Sequence, residues 1–331
     1  MTLDPEIEAY YALGEEPGRL EGPSLERLRT EELLERFLPA APAGVLDVGG
    51  GIGVYAIWLA TKGYRVHLVD PVALHVERAR EVAAGTFTAA VGDARSLEQA
   101  DSSYDAVCLL GPLYHLTERA ERVRALAEAR RVLRPGGVAV AAAISRFASL
   151  LDGLRTGYLS DPVFAGIVDR DLREGQHRNP GDQPEYFTTA YFHHPDELAG
   201  ELVDAGLEPV AVLGIEGPAW LTDWNLDNPE RLQLALWAAR AVERESALLG
   251  VSSHLLAVAR REGSDDLAGG AVGEAARPRL ALRRRRAAAG RRRRARALPR
   301  ALPRADGHRG RPRGAALVGG ARKREVGRSA P

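Results

Sequence analysis

One cysteine, one methionine and two lysines are all that these 331 residues hold of those types. The lone cysteine, Cys108, lies within the apolar run 106–110 and excludes a disulfide inside one chain. A buried structural thiol is its expected role. No apolar run reaches the roughly 18 residues that cross a bilayer. The opening Met1-Thr2-Leu3-Asp4-Pro5-Glu6 is acidic and lacks the basic-then-apolar order of a signal peptide, so a cytoplasmic location is expected. His177 and His193 have no cysteine partner and no His-x-x-x-His spacing. A cage of clustered acids is missing too, so no metal site is expected.

The formal net charge is zero, but the zero hides a split. Residues 1–261 carry 25 Lys+Arg against 39 Asp+Glu, a net of −14, and residues 262–331 carry 20 against 6, a net of +14. The second segment holds no aromatic residue, isoleucine or methionine, too little to offset the entropy of ordering a backbone. It is expected to be a disordered Arg/Ala/Gly/Pro-rich tail outside the fold. Its runs Arg283 to Arg286 and Arg291 to Arg294 suit the phosphates of nucleic acid. The composition, with 2 lysines against 43 arginines in the whole chain, also fits a frame-shifted or read-through extension of a GC-rich gene without function. A flexible charged linker is the third reading.

The most telling segment that is present is Val45-Leu46-Asp47-Val48-Gly49-Gly50-Gly51-Ile52-Gly53. It reads as a short buried strand, a glycine turn and the start of a helix, a loop against which a ligand can lie. From Pro42 the pattern alternates. Strands are expected near 44–48, 65–70, 87–91, 104–110 and 137–143, with helices near 53–62, 73–84 and 118–133. Residues 5–13 and 24–38 read as N-terminal helices. A long polar excursion, 145–194, interrupts the series before a helix from 195, a strand at 208–214, a helix at 229–245 and a strand at 253–259. Such alternation implies an α/β fold: a Rossmann-like, doubly wound, mostly parallel seven-stranded sheet. Ligands in such sheets bind outside the carboxyl ends of the strands.

Gly51, Gly53 and Ala56 alone also satisfy the Gly-x-Gly-x-x-Gly/Ala pattern of dinucleotide enzymes, so an NAD-dependent oxidoreductase is one alternative. Other residues point elsewhere. Asp47 lies two positions before the first glycine. Asp70 ends the run Val66-His67-Leu68-Val69, where a carboxylate can accept from two ribose hydroxyls. Asp93 follows a third strand, placed for an adenine amino group, and Leu133-Arg134-Pro135-Gly136-Gly137 closes a helix and opens a strand. In this order and spacing the chain resembles class I S-adenosylmethionine-dependent methyltransferases from about Pro42 to Arg260, closest to actinobacterial small-molecule enzymes.

The resemblance implies S-adenosyl-L-methionine as cofactor, with Asp47, Gly49, Gly51, Gly53, Asp70, Asp93, Ala94, Leu110 and Gly111 around it. It implies one domain over 1–261, with residues 1–41 as a helical lid and 145–194 as a substrate-side insertion. Relatives acting on nucleic-acid or protein nitrogen often carry Asn/Asp-Pro-Pro-aromatic after the fourth strand. This chain has Gly111-Pro112-Leu113-Tyr114, which counts against DNA-base and glutamine substrates and makes nucleic acid an unexpected partner.

Methyl transfer needs donor and acceptor held in line and a proton removed. His115 is a candidate base, because an imidazole titrates near pH 6.5; positioning the cofactor or capping a helix is its other reading. Tyr11, Tyr114, His177, Tyr186, Tyr191 and Trp220 are candidates for contacts to the acceptor, with His193 and Trp224 beside them; packing within the insertion is the alternative for each. Arg29 is a candidate partner for the cofactor carboxylate. The acidic 1–261 region favours a neutral or cationic acceptor, methylated at nitrogen or oxygen, such as an amine or amino sugar of secondary metabolism. The non-enzymatic alternative is a nucleic-acid-binding protein working through the Arg-rich tail.

Overall fold

The computed structural model describes residues 24–179 and 183–263. The expected helix at 5–13 with Tyr11, and the tail from 264 onward, lie outside the described residues. Helix α1 (Leu25–Phe37) begins at Ser24, whose hydroxyl accepts the Arg27 N–H at 3.1 Å. That single bond satisfies one orphan donor of the first turn without an acid three residues on. Among the described residues no helix is long and apolar enough to cross a membrane.

Five parallel strands form the frame: β1 (Gly44–Val48), β2 (Arg65–Asp70), β3 (Thr88–Val91), β4 (Tyr104–Leu109) and β5 (Leu133–Ser145), in the order β3-β2-β1-β4-β5. Helices α2 (Val54–Thr61), α3 (Ala73–Ala83), the single turn α4 (Pro112–His115) and α5 (Arg119–Val132) connect them. Strand β5 begins at Leu133 rather than 137: Leu133 pairs with Tyr104, the register then shifts, and Ala106 meets Val138.

The chain continues through α6 (Ala148–Thr156), α7 (Pro162–Glu174), β6 (Gln176–His177), β7 (Ala190–His193), α8 (Pro195–Asp204), β8 (Glu208–Gly214), α9 (Pro229–Val242) and β9 (His254–Arg260). Strand β9 runs antiparallel on β5, and β8 antiparallel on β9. These seven strands are the expected sheet. Two more come from the insertion, giving nine. Strand β7 pairs parallel with the last residues of β5, Ile144 with Phe192 and Ser145 with His193. Strand β9 already occupies the other side of β5 through the pair Ile144–His254, and β4 leaves at Leu109 opposite Ala141. Strand β7 therefore fills the place beside β5 that β4 vacates.

Side chains alternate between faces with period two. Val45, Val66, Leu68, Ala106, Cys108, Val140 and Leu256 pack on one face with Leu33 and Leu34 of α1 and Leu59 of α2. Leu46, Val107, Leu109, Ala139 and Leu255 pack on the other with α5 and Leu198 and Leu202 of α8. Cys108 is a free, buried thiol, as expected. Burial, followed by the neighbouring Asp47 charge, pushes it well above the ordinary thiol range. The insertion has its own core, in which Phe164, Ile167, Tyr186 and Phe192 gather around Tyr114 and Ile144.

Candidate cofactor and acceptor site

The turn after β1 shows why glycine is needed there. Gly49, Gly51 and Gly53 have φ of +69°, +56° and +92°, conformations that side chains with a Cβ disfavour. A Cβ on Gly49 would also lie 2.6 Å from Cγ of Pro112, and one on Gly50 would lie 2.6 Å from Asp47 Oδ2. At Gly51 nothing lies within 4 Å of that position. The loop is thus closed on the protein side and open at Gly51.

Under the loop sits Asp47, 1% exposed. Neither of its carboxylate oxygens has a hydrogen-bond partner among the described residues. Burial, with the Asp70 charge adding to it, raises its pKa to about 7. A buried carboxylate without a donor is costly, and a cationic or N–H-bearing ligand would relieve it.

Asp70 ends β2 and is nearly buried. Its Oδ2 accepts the Gly51 N–H at 2.9 Å; its Oδ1 accepts the Val72 N–H at 2.9 Å and faces His75 Nδ1 at 3.1 Å. Asp93 is gripped by Arg95, whose Nε reaches its Oδ1 at 2.9 Å and whose Nη2 reaches its Oδ2 at 2.7 Å. Burial pushes the Asp93 carboxyl up, but this fork and the Arg95 N–H bond outweigh it and hold it below its ordinary value. Asp47 thus lies within β1, Asp70 ends β2 and Asp93 stands two residues past β3, all toward the carboxyl edge. Ala94 and Leu110 are half-buried and pack against the two faces of the sheet.

At the end of β4 the backbone carbonyl of Gly49 lies 3.2 Å from where a Cβ of Gly111 would stand. Tyr114 is buried and meets the half-buried His115 edge-on at 4.6 Å, and Phe187 of the insertion lies 6.2 Å from the His115 ring. The loop after His115 is fixed from below. Arg122, 1% exposed, donates to the carbonyls of Leu116 and Thr117 at 2.9 and 2.8 Å and forks onto Glu201. Glu201 Oε2 also faces His193 Nε2 at 3.2 Å. Burial lowers the pKa of His193, against the pull of Glu201.

Three of the acceptor-contact candidates have protein partners of their own. His177 is fully buried, with Nδ1 on Asp171 at 2.9 Å, Nε2 on the Tyr186 carbonyl at 2.7 Å, and its ring stacked on Phe192 at 4.8 Å. Tyr186 is buried and donates to Asp161 at 2.7 Å. Tyr191 lies beneath Arg122, 3.6 Å from the ring centre, and meets Arg146 and Glu197 through its hydroxyl. His177 and Tyr186 thus have their polar atoms engaged inside the insertion, whereas the half-buried Tyr191 ties it to Arg122 of α5 and Glu197 of α8. Trp220 donates its indole N–H to the Val251 carbonyl at 2.8 Å and stays half-buried; Trp224 is 40% exposed. Arg29 is buried on Ile215, Glu32 and Glu243, which accounts for its charge without a cofactor.

Sequence reasoning passed over Gly50, His75 and Arg95, although each stands within a few residues of a motif acid. It also missed Glu216 and His254, which no local spacing connects. Among the described residues, Glu26, Glu216 and His254 bring potential ligand atoms within 4.8 Å of one another. Glu216 Oε1 and His254 Nδ1 are 2.5 Å apart, a hydrogen bond too short for both atoms to ligate one ion.

A methyltransferase domain model matches residues 45–137, the stretch from β1 to the turn before the long part of β5. An uncharacterized methyltransferase of Mycobacterium tuberculosis is 38% identical over 106 residues, 32% of this chain and 42% of that protein. The chain thus spans about two-fifths of the first relatives it matches. A ubiquinone biosynthesis O-methyltransferase of Ralstonia nicotianae is 31% identical over 188 residues, 55% of this chain and 70% of its own. The Haloferax volcanii methyltransferase seen in complex with the Trm112 methyltransferase activator superposes with a TM-score of 0.52 at 20% identity, covering 79% of this chain and all of that one; this likeness concerns the fold alone. With a glycine loop, an acid at or near the carboxyl edge of each of β1, β2 and β3, and a relative covered over more than two-thirds of its length, the chain belongs to the class I S-adenosylmethionine-dependent methyltransferase family.

Proposed function

We propose that the protein methylates a nitrogen or oxygen atom of a small-molecule acceptor, an amine or amino sugar of secondary metabolism fitting best, and does so in the cytoplasm. The observation that carries this reading is the buried, unpartnered carboxylate of Asp47 beneath a loop that is open at Gly51. S-Adenosylmethionine supplies the activated methyl group when bound. Gly49 to Gly53 and Asp47 would hold its methionine end, Asp70 its ribose hydroxyls through lone pairs not already used, and Asp93 its adenine. Ala94, Leu110 and Gly111 would border it. The Ralstonia relative's name, an O-methyltransferase, is compatible with oxygen as acceptor, and the net −14 of residues 1–261 favours a cationic one.

His115 stands at the exit of β4, between Tyr114 and Phe187. It serves either as base or as the group that positions the reactants. A radiolabelled-methyl screen over small metabolites, run with calorimetry of S-adenosylmethionine binding, tests the reading. Absence of cofactor binding would end it. In that screen, a fall in rate of roughly 10²–10⁴-fold in His115→Ala at unchanged cofactor affinity marks a base; a matching fall in cofactor affinity marks a positioning role.

A further inference from the structure

Strand β7 brings one corner of the insertion to the carboxyl edge of the sheet. His193 is the register partner of Ser145, the last residue of β5, on the side of β5 that β4 vacates at Leu109. The turn α4, which carries Tyr114 and His115, packs against both β5 and β7. Gln176 of β6 is the register partner of Tyr191, and His193 follows Tyr191 by two residues. Opposed residues share a face, and so do residues two apart. Gln176, Tyr191 and His193 therefore stand on one face of the β6–β7 pair.

Two buried atoms on this face have no hydrogen-bond partner among the described residues: His193 Nδ1 and Gln176 Oε1. The Gln176 amide is oriented by its Nε2, which donates to the Thr117 carbonyl at 3.0 Å, so Oε1 is a bare carbonyl oxygen. His193 is fully buried, and its Nε2 faces the carboxylate of Glu201 at 3.2 Å. A carboxylate accepts, so Nε2 carries the hydrogen and Nδ1 a lone pair. Burial lowers the pKa of the ring against the pull of Glu201, which keeps it uncharged at neutral pH. Both residues belong to one assembly around Arg122. That guanidinium donates to the same Thr117 carbonyl at 2.8 Å, forks onto Glu201, and lies 3.6 Å from the centre of the Tyr191 ring. Tyr191 in turn meets His193 edge-on at 4.7 Å. The carboxylates that act on His193, Glu201 and Glu197, are paired with Arg122 and Arg146. Neither is left over for an ammonium, whereas neutral hydroxyl groups suit two bare acceptors.

We propose that Gln176 Oε1 and His193 Nδ1 bind the acceptor through its hydroxyl groups, and that His193 is the base of an oxygen methylation. This rests on the methyltransferase reading and takes its oxygen alternative, as on a hydroxyl of a sugar or amino sugar. Gln176 accepts from one hydroxyl and ties it to the loop after His115. His193 Nδ1 takes the proton of the reacting hydroxyl, whose O–H electron pair stays on oxygen. That pair forms the new O–C bond to the methyl carbon. The bond from methyl to the sulfonium sulfur breaks with its electrons staying on sulfur, so a thioether leaves. Glu201 stabilises the imidazolium until its proton passes to solvent, and Arg122 holds Glu201 in place. His115 is then left with the positioning role.

The test uses the full chain. Calorimetry with S-adenosylhomocysteine present measures binding of a panel of monosaccharides, amino sugars and simple alkylamines. Transfer of labelled methyl from S-adenosylmethionine is measured on the same panel. Sugars are expected to bind and be methylated on oxygen, and alkylamines not. Gln176→Leu should weaken sugar binding about three- to tenfold, with S-adenosylmethionine affinity within twofold of the parent. His193→Gln keeps a donor for Glu201 but supplies no base, and should lower kcat by about 10²–10⁴-fold with KM changed far less. Nitrogen-15 NMR of the assigned His193 ring in the parent should find hydrogen on Nε2 alone at neutral pH; this and Gln176→Leu decide if His193→Gln does not fold. Normal cofactor binding with no sugar bound or methylated, or with methyl placed on nitrogen alone, overturns the proposal and leaves the methyltransferase reading standing. So do hydrogen on His193 Nδ1, variants that behave like the parent, or variants that lose cofactor affinity as fast as rate. Failure of the parent to bind cofactor at all would instead strike the underlying reading.

Discussion

The carboxylate of Asp70 accepts the backbone N–H of Gly51 at 2.9 Å, so the end of β2 and the glycine turn after β1 brace each other. The bond fixes the open point of the loop through protein groups alone, which lowers the ordering that ligand binding needs.

Replacing Asp70 is therefore expected to act twice, by losing a ribose contact and by loosening Gly51. Charged hydrogen bonds contribute about 1.5–3 kcal/mol each, so Asp70→Ala should weaken S-adenosylmethionine binding at least tenfold. Asp70→Asn keeps one acceptor oxygen and should fall between the two. Calorimetry that finds parental affinity in both variants would refute the assignment.

For Asp47 the expected result is a pH dependence of opposite sign in stability and binding. Its folded pKa, about 7, is above that of the unfolded chain, so the native state holds an extra proton between roughly pH 4 and 7. Its contribution to stability is greatest below that window and is lost as pH rises through 7. Asp47→Asn should therefore raise the melting temperature of the ligand-free protein more at pH 8 than at pH 5. Affinity for the cationic cofactor should rise in the parent from pH 6 to pH 8, and stay flat in Asp47→Asn. Melting curves and calorimetry at the two ends decide it.

The Arg122–Glu201 fork is buried on both sides, each side chain 1% exposed. Arg122→Met leaves Glu201 buried without its partner, which typically costs about 3–5 kcal/mol, and it frees the carbonyls of Leu116 and Thr117. Denaturant unfolding should show the loss. The double variant Arg122→Met/Glu201→Leu should recover much of it. Full stability in the single variant would show that the fork contributes nothing.

For the C-terminal boundary the relevant residue is Arg261. Its guanidinium donates to Ser102 at 3.0 Å and to the Arg131 carbonyl at 3.1 Å, and its backbone pairs with Gly136 and Gly137. The tail from 264 onward is expected to be dispensable. A chain ending at Gly263 should keep its thermal midpoint and cofactor affinity, whereas Arg261→Ala in the full chain should melt lower. A large loss on truncation after Gly263 would make the tail part of the domain.

The glycine turn and the acids near it are legible in the sequence because their signals are local. A strand that runs into a glycine turn, and an acid in or just after each apolar run, are short-range patterns that follow from backbone sterics. The core strands were equally plain, since runs such as Val66 to Val69 are buried on both faces. Partners distant in sequence are not. His177 looked functional as a polar residue in an aromatic segment, yet its partners Asp171 and Tyr186 satisfy it internally. No spacing announces that Glu216, just past the end of β8, and His254, at the start of β9, meet at 2.5 Å. The two extra strands escaped notice because β6 is two residues long, and β7 is ordered by its pairing with β5 rather than by its own pattern.

That pairing bears on how such a protein can change. Strand β7 is bonded to the far end of β5, while the glycine turn and the three motif acids hang on β1, β2 and β3. Drift in residues 145–194 can reshape what stands over Gly111 and His115 without disturbing the donor-side scaffold. New selectivity can therefore be explored one insertion at a time on a frame that is already paid for.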